Sequence, residues 1–238
     1  MPFEHGSKAK VYVNGYDLTE YLTSVSVSGE GETAETTTFG KVAKTYIPGL
    51  KDATLSAEGL HSPAPGEIDA VVTAALASGK SMWCYYPQDD TLGSAGYGLD
   101  ALKTSYEVES PVDDVVSVSA EAQSRTGLER ILSLHPLGAE AVSGSGSSLD
   151  NGVATSDGGV SYLQVTEVSG TTPSLTARVQ HSADNVTWVD LLTFANVTTA
   201  GSSQRIKVTG TVNRYIRTSW TISGTSPSFT FNVAFGRY

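Results

Sequence analysis

The chain has 238 residues, 39% hydrophobic and 17% charged, with 24 glycines, a single cysteine and a net charge of −10. That is the make-up of a folded globular protein long enough for two domains of ordinary size, and its wealth of Ser, Thr and Gly favours strands and turns over helices. The acidity is uneven: residues 1–140 carry 9 Lys and Arg against 20 Asp and Glu, net −11, whereas residues 141–238 carry 6 against 5. An acidic first half argues against nucleic-acid binding through phosphate contacts, which need Lys and Arg to displace counterions, and one cysteine excludes an internal disulfide.

The first ten residues, MPFEHGSKAK, lack the apolar run of a signal peptide, and no stretch reaches the roughly 20 apolar residues that span a bilayer. The expectation is a protein made in a cytoplasm, with no membrane partner. A strand over 10–13 enters a tight turn at Asn14-Gly15. Alternating strands follow over 24–28 and 53–58, and between them lies an arm at about 29–52, far longer than the roughly 2 to 5 residues of a tight hairpin loop. The arm carries Thr36, Thr37, Thr38, Phe39, Val42, Tyr46, Ile47 and Pro48, and its β-branched and aromatic residues suit strand pairing. It is therefore read as an assembly element, ordered by pairing with another chain.

An amphipathic helix is predicted over 67–78. Ile68, Val71, Val72, Ala75 and Leu76 share one face, Glu67 and Asp69 suit its N-terminal end, and Gly79 ends it. Strands resume over 81–86, 105–109, 115–123 and 128–134. Cys84 falls in the apolar run of the first of these and is read as a small buried residue. In two of them the alternation leaves a wet, acidic face holding Glu107, Glu109 and Glu121.

Residues 141–159 are rich in Gly, Ser, Asp and Asn and read as a linker. Beyond it, runs at 160–168, 175–180, 186–194, 205–209, 216–222 and 229–235 alternate as short strands, predicting an antiparallel β-sandwich over 160–238, immunoglobulin-like or jelly-roll, with Trp188 and Trp220 in its core or at its rim. The fold class expected is mainly β.

Catalytic patterns are missing. His5, His61, His135 and His181 are scattered without metal-ligand spacing and are read mostly as surface residues. The pairs Asp89-Asp90 and Asp113-Asp114 adjoin turns, where Asp hydrogen-bonds the backbone. The glycine-rich 143–148 lacks a phosphate-loop lysine. The expectation is no enzyme, no metal and no cofactor.

The runs Thr37-Thr38-Phe39-Gly40, Lys44-Thr45-Tyr46-Ile47-Pro48-Gly49-Leu50-Lys51-Asp52-Ala53-Thr54-Leu55-Ser56 and Pro111-Val112-Asp113-Asp114-Val115-Val116-Ser117-Val118-Ser119, together with the helix ending at Gly79, give residues 8–135 a resemblance to the major tail tube proteins of long-tailed (siphovirus-type) bacteriophages. The second half, with Gln180-His181-Ser182-Ala183-Asp184-Asn185-Val186-Thr187-Trp188, resembles the β-sandwich appendages of such tail proteins. The resemblance implies six-fold rings that stack into a hollow tube in the virion tail, assembled in the bacterial host cytoplasm. The implied partners are further copies of the chain, a tape-measure protein, terminator and initiator proteins, and genomic DNA that passes through without specific binding. Thr37, Thr38, Phe39, Tyr46, Ile47 and Pro48 then belong to the assembly arm, Glu107, Glu109 and Glu121 to the lumen, and the second half to the exterior, open to weak contact with host-surface glycans. The rival readings are a carbohydrate-binding adhesin and the tube subunit of a phage-like injection machine.

Overall fold

The computed structural model describes residues 6–238, with side chains at all of them except 103 and 104. In chain order its strands are β1 (Lys10–Val13), β2 (Tyr16–Asp17), β3 (Leu22–Glu35) and β4 (Tyr46–Leu60), then after helix α1 (Ile68–Ser78) β5 (Ser81–Tyr86), β6 (Ala95–Glu109), β7 (Ser117–Ser124), β8 (Glu129–Glu140), β9 (Gly144–Ser145), β10 (Leu149–Asp150), β11 (Gly159–Ser182), β12 (Val189–Thr193), β13 (Ser202–Val208) and β14 (Tyr215–Arg237). The protein is mainly β, as its composition predicts, and the described strand pairs are antiparallel.

In the first half, Asn14 (φ 51°) and Gly15 (φ 81°) form the two-residue turn between β1 and β2, both in the left-handed region that such turns demand. β6 serves two neighbourhoods. Its first part pairs with β5 and β8, and its second part pairs with β7, which pairs with β4 and through it with β3. The inward faces enclose Val11, Val13, Leu18, Leu55, Ala57, Trp83, Leu99, Ala101, Val118, Ala120 and Ala122, and α1 closes this core with Ile68, Val71 and Val72. Gly79 ends α1 at φ 63°, its N–H donating to the Leu76 carbonyl at 3.3 Å. Leu76, expected on the buried face, stays exposed, so the apolar stripe is one residue narrower than its spacing suggests.

The second half is built on two long strands, not six short ones. The runs at 160–168 and 175–180 are the two arms of β11, and those at 216–222 and 229–235 are the arms of β14; the two strands pair along their whole length. Each bends at a matching corner, Ser-Gly-Thr-Thr-Pro-Ser at 169–174 and Ser-Gly-Thr-Ser-Pro-Ser at 223–228. Thr171 stands opposite Thr225, Ser169 opposite Ser228 and Ser174 opposite Ser223. Gly170 (φ 106°) and Gly224 (φ 129°) let the two backbones approach, for a Cβ on them would lie 2.6 Å from the Ser226 carbonyl oxygen and 2.9 Å from that of Thr172. On either side of the bend, β13 pairs with the first arm of β11 and β12 with the second. Trp220 is buried as expected. Trp188 lies half-buried under Arg217, whose guanidinium carbon is 4.2 Å from the ring centre.

The segment expected to be a linker is docked along β14. Gly144 pairs with Trp220 and Leu149 with Ile216, and the Trp220 indole N–H donates to the Val142 carbonyl at 2.9 Å. Glycine at 144 is read by composition as looseness, but here it makes room for the indole, which a Cβ would meet at 3.2 Å. β8 also runs on past its expected end to Glu140 and pairs with β14, so one continuous sheet crosses between the halves. A third cluster of buried residues draws on both: Tyr12, Cys84, Tyr86 and Ile131 with Val160, Tyr162 and Ala234. The expectation of a flexibly tethered appendage gives way to a shared core.

Candidate functional site: a projecting hairpin and a serine–glutamate face

The arm is a β-hairpin. Thr33, Ala34 and Glu35 of β3 face Pro48, Ile47 and Tyr46 of β4, with one irregularity between Gly31 and Thr33. The turn is Thr38-Phe39-Gly40-Lys41, closed by the Lys41 N–H on the Thr38 carbonyl at 3.2 Å, with Gly40 at φ 89° in the position that needs it. Thr36 and Thr37 tie the two sides: the Thr36 N–H donates to the Thr45 carbonyl at 2.8 Å, and the Thr37 hydroxyl accepts the Thr45 N–H at 3.0 Å. Lys44 Nζ lies 3.0 Å from Glu35. The expectation that this backbone needs another chain is therefore corrected. β-branched residues on both sides of a Gly-containing turn pair with one another.

What the hairpin leaves unsatisfied is its side chains and outer edges. At Gly29 a Cβ would still meet the Leu128 side chain at 3.2 Å, but beyond it nearly every residue from Glu30 to Leu50 is exposed. The ladder from Asp52 to Tyr46 alone carries the hairpin about 20 Å past the core, at about 3.4 Å per residue. Phe39 and Val42 are fully exposed at its tip, and Tyr46, Ile47 and Leu50 are exposed along its stem. Among the described residues β3 pairs with β4 alone, so its other edge offers a row of backbone donors and acceptors.

The second feature is the outward face of the sheet that bears the hairpin. Across β3, β4, β7 and β6, the registers put Ser24, Ser26 and Ser28 beside Glu58, Ser56 and Thr54, these beside Ser119, Glu121 and Gln123, and the first two of those beside Glu107 and Ser105; Ser117 stands between Leu60 and Glu109. Glu107, Glu109 and Glu121, read from the sequence as one acidic face, thus share one surface, and the structure adds Glu58, which strand alternation alone could have flagged. No Lys or Arg occupies any of these positions. A shallow cleft of about 430 Å³ runs between Glu58, Glu107, Glu109, Ser117 and Ser119.

The remaining candidates have structural partners. Asp89 accepts hydrogen bonds from Ser94 and Thr91, which hold its carboxyl below the usual range, with a 2.7 Å bond from the Thr91 hydroxyl. Asp90 is buried and accepts from the Tyr12 hydroxyl at 2.8 Å and the Leu137 N–H at 2.6 Å. Asp114 accepts the Val115 N–H at 2.7 Å. Cys84 is buried, and burial pushes its thiol up to about 12. His135, expected near the surface, is buried, stacked on Phe231 with ring centres 4.4 Å apart, its Nδ1 3.1 Å from the Phe231 carbonyl. His61 lies 3.6 Å from Asp69, and burial holds the His181 imidazole below its usual pKa. His5 lies outside the described residues. Among the described residues no three His, Cys, Asp or Glu gather as metal ligands, and no helix is long and apolar enough to cross a membrane.

No protein-family model matches the chain, and no curated protein matches it. Solved structures similar to it include tail and baseplate proteins. A chain of the native gene transfer agent virion is 15% identical, with 54% of this chain and 98% of that one covered, at a TM-score of 0.46. The SPP1 tail tube is 14% identical over 53% of this chain and 77% of that one, at 0.43. The SPP1 Dit protein is 9% identical over 97% of this chain and 99% of that one, at 0.39.

Proposed function

We propose that the protein is a structural subunit of a phage-type tail tube, self-assembling into stacked six-fold rings around a channel for DNA. The hairpin carries this reading. A lone subunit has no use for a stiff ribbon that holds Phe39 and Val42 about 20 Å into solvent, since exposing large apolar side chains gains nothing unless a partner covers them. A second copy is the economical partner, because one contact repeated builds a filament or tube. The free edge of β3 gives a neighbour in the same ring a place to add backbone hydrogen bonds.

The glutamate face suits the channel. Phosphates are repelled by carboxylates over a screening length of about 8 Å at physiological salt, so a duplex slides past without sticking. Glu107, Glu109, Glu121 and Glu58 would line that channel. The second half joins the first through β8 and the early part of β6, away from this face, which suits an exterior position. Tape-measure, terminator and initiator proteins are the further partners this role requires, with assembly in the host cytoplasm.

Negative-stain microscopy of concentrated protein tests the reading. Hollow tubes or stacked rings are expected. A protein that stays monomeric at every concentration while binding a glycan saturably is an adhesin instead.

A further inference from the structure

The geometry points to the loop at residues 110–116 as the acceptor for the hairpin tip of a second copy, so that copies join head to tail along β4. This rests on the tube reading above and names the surface that the hairpin meets.

β4 spans the whole sheet. Its Tyr46 end carries the hairpin; its Leu60 end stands opposite Ser117, the first residue of β7, and so adjoins the loop that leads into β7. Hairpin tip and loop therefore lie at opposite ends of one sheet. Both ends expose apolar side chains: Phe39 and Val42 at the tip, Val112 and Val115 in the loop, with Leu60 and Val108 exposed beside it.

Their charges are opposite. The tip carries Lys41 and Lys44, the latter already held by Glu35 at 3.0 Å, while the loop carries Asp113 and Asp114 next to Glu109. The Asp114 carboxylate accepts the Val115 N–H at 2.7 Å, a local bond that helps order the loop. Two unlike, complementary patches at opposite ends do not pair symmetrically; they propagate, each copy offering one patch and receiving the other. With the contact at the strand ends, the glutamate face between them stays uncovered.

Charge reversal tests this, with tube length measured by microscopy and the pelleted fraction by sedimentation. D113K/D114K should lower the polymerised fraction about tenfold or more, since it sets like charges against Lys41. The triple variant K41D/D113K/D114K should restore it, and V112D should abolish stacking. These residues are exposed, so thermal midpoints should match the wild type, and folding does not confound the result. Wild-type protein that forms no tubes or rings overturns the functional reading itself. Wild-type tubes with unaltered D113K/D114K and V112D tubes, or loss without rescue by K41D, overturn the acceptor assignment alone.

Discussion

The Tyr86 hydroxyl donates to Asn232 Oδ1 at 3.0 Å, joining two residues 146 positions apart and fastening the halves of the protein to each other. Around this bond lie others of the same kind. Tyr12 meets Asp90, which also accepts from Asn232 at 3.4 Å, and the Gly15 N–H donates to Gln164 at 2.6 Å. Replacing Tyr86 by Phe leaves buried polar groups unpaired and should cost about 1–3 kcal/mol. For a chain of this size that is about 2–4 °C in melting temperature per kcal/mol, read by calorimetry. An unchanged melting temperature would show the bond to be dispensable.

A fragment lacking residues 150–238 should not stand alone. It strips the cover from Tyr12, Cys84, Tyr86 and Ile131, each buried against the second half, at about 1.5–3 kcal/mol for a large apolar side chain. Expected are strong binding of a hydrophobic dye and loss of the cooperative melt. A soluble fragment with a sharp transition would restore the picture of an independent appendage.

The halves also share a buried ion pair. Glu129 faces Arg205 with Nε–Oε2 at 3.0 Å, and both Tyr162 and Tyr238 donate to the same carboxylate, the latter at 2.9 Å. Burial pulls the Arg205 guanidinium down, but hydrogen bonds and charge from Glu129 outweigh it and the net shift is upward. Arg205→Met leaves a buried carboxylate without its counter-ion and should destabilise by about 3–5 kcal/mol, while the double change E129M/R205M should recover most of that loss. Urea denaturation of the two variants decides it; equal losses in both would rule out the pair as the cause.

Alkaline pH should weaken the fold. Burial raises the Cys84 thiol to about 12 and also raises the hydroxyls of Tyr12, Tyr86 and Tyr162. Each holds its proton longer when folded than when unfolded. Stability is therefore intact below the unfolded values, about 8.5 for Cys and 10 for Tyr, and falls as pH rises above them toward the folded ones. Denaturation midpoints should drop from neutral pH to pH about 10, with a smaller drop for Cys84→Ala, and a thiol reagent should label Cys84 only on unfolding. Rapid labelling of native protein would contradict this burial.

How far the chain could be read in advance depended on where each signal sits. The strand at Ser81–Tyr86, the Asn14-Gly15 turn and the Gly79 helix end are local, set by residues within one turn or one alternation, and they were legible. The glutamate face was legible too, because Glu107, Glu109 and Glu121 follow strand parity. The bends in β11 and β14 were not: Gly and Pro at 170, 173, 224 and 227 end the alternation, so each long strand reads as two. The near-identity of 169–174 and 223–228 is the signal that could have exposed them. The shared core was invisible for another reason. Tyr86 and Asn232, or Gly15 and Gln164, meet across distances in sequence that no local pattern spans.

Two lysines should test the channel. E107K/E121K is expected to leave tubes intact, because both positions are exposed on the sheet face and stand apart from the acceptor loop, while making them retain DNA and slowing its delivery. Unchanged retention of labelled duplex at low salt would remove these residues from the channel.

The most direct measurement is a helical reconstruction of assembled protein at side-chain resolution, read at Phe39 and Val42. The account predicts a hollow tube in which both residues are buried against the next ring of copies. Tubes in which the hairpin points into solvent, touching no neighbour, would contradict it.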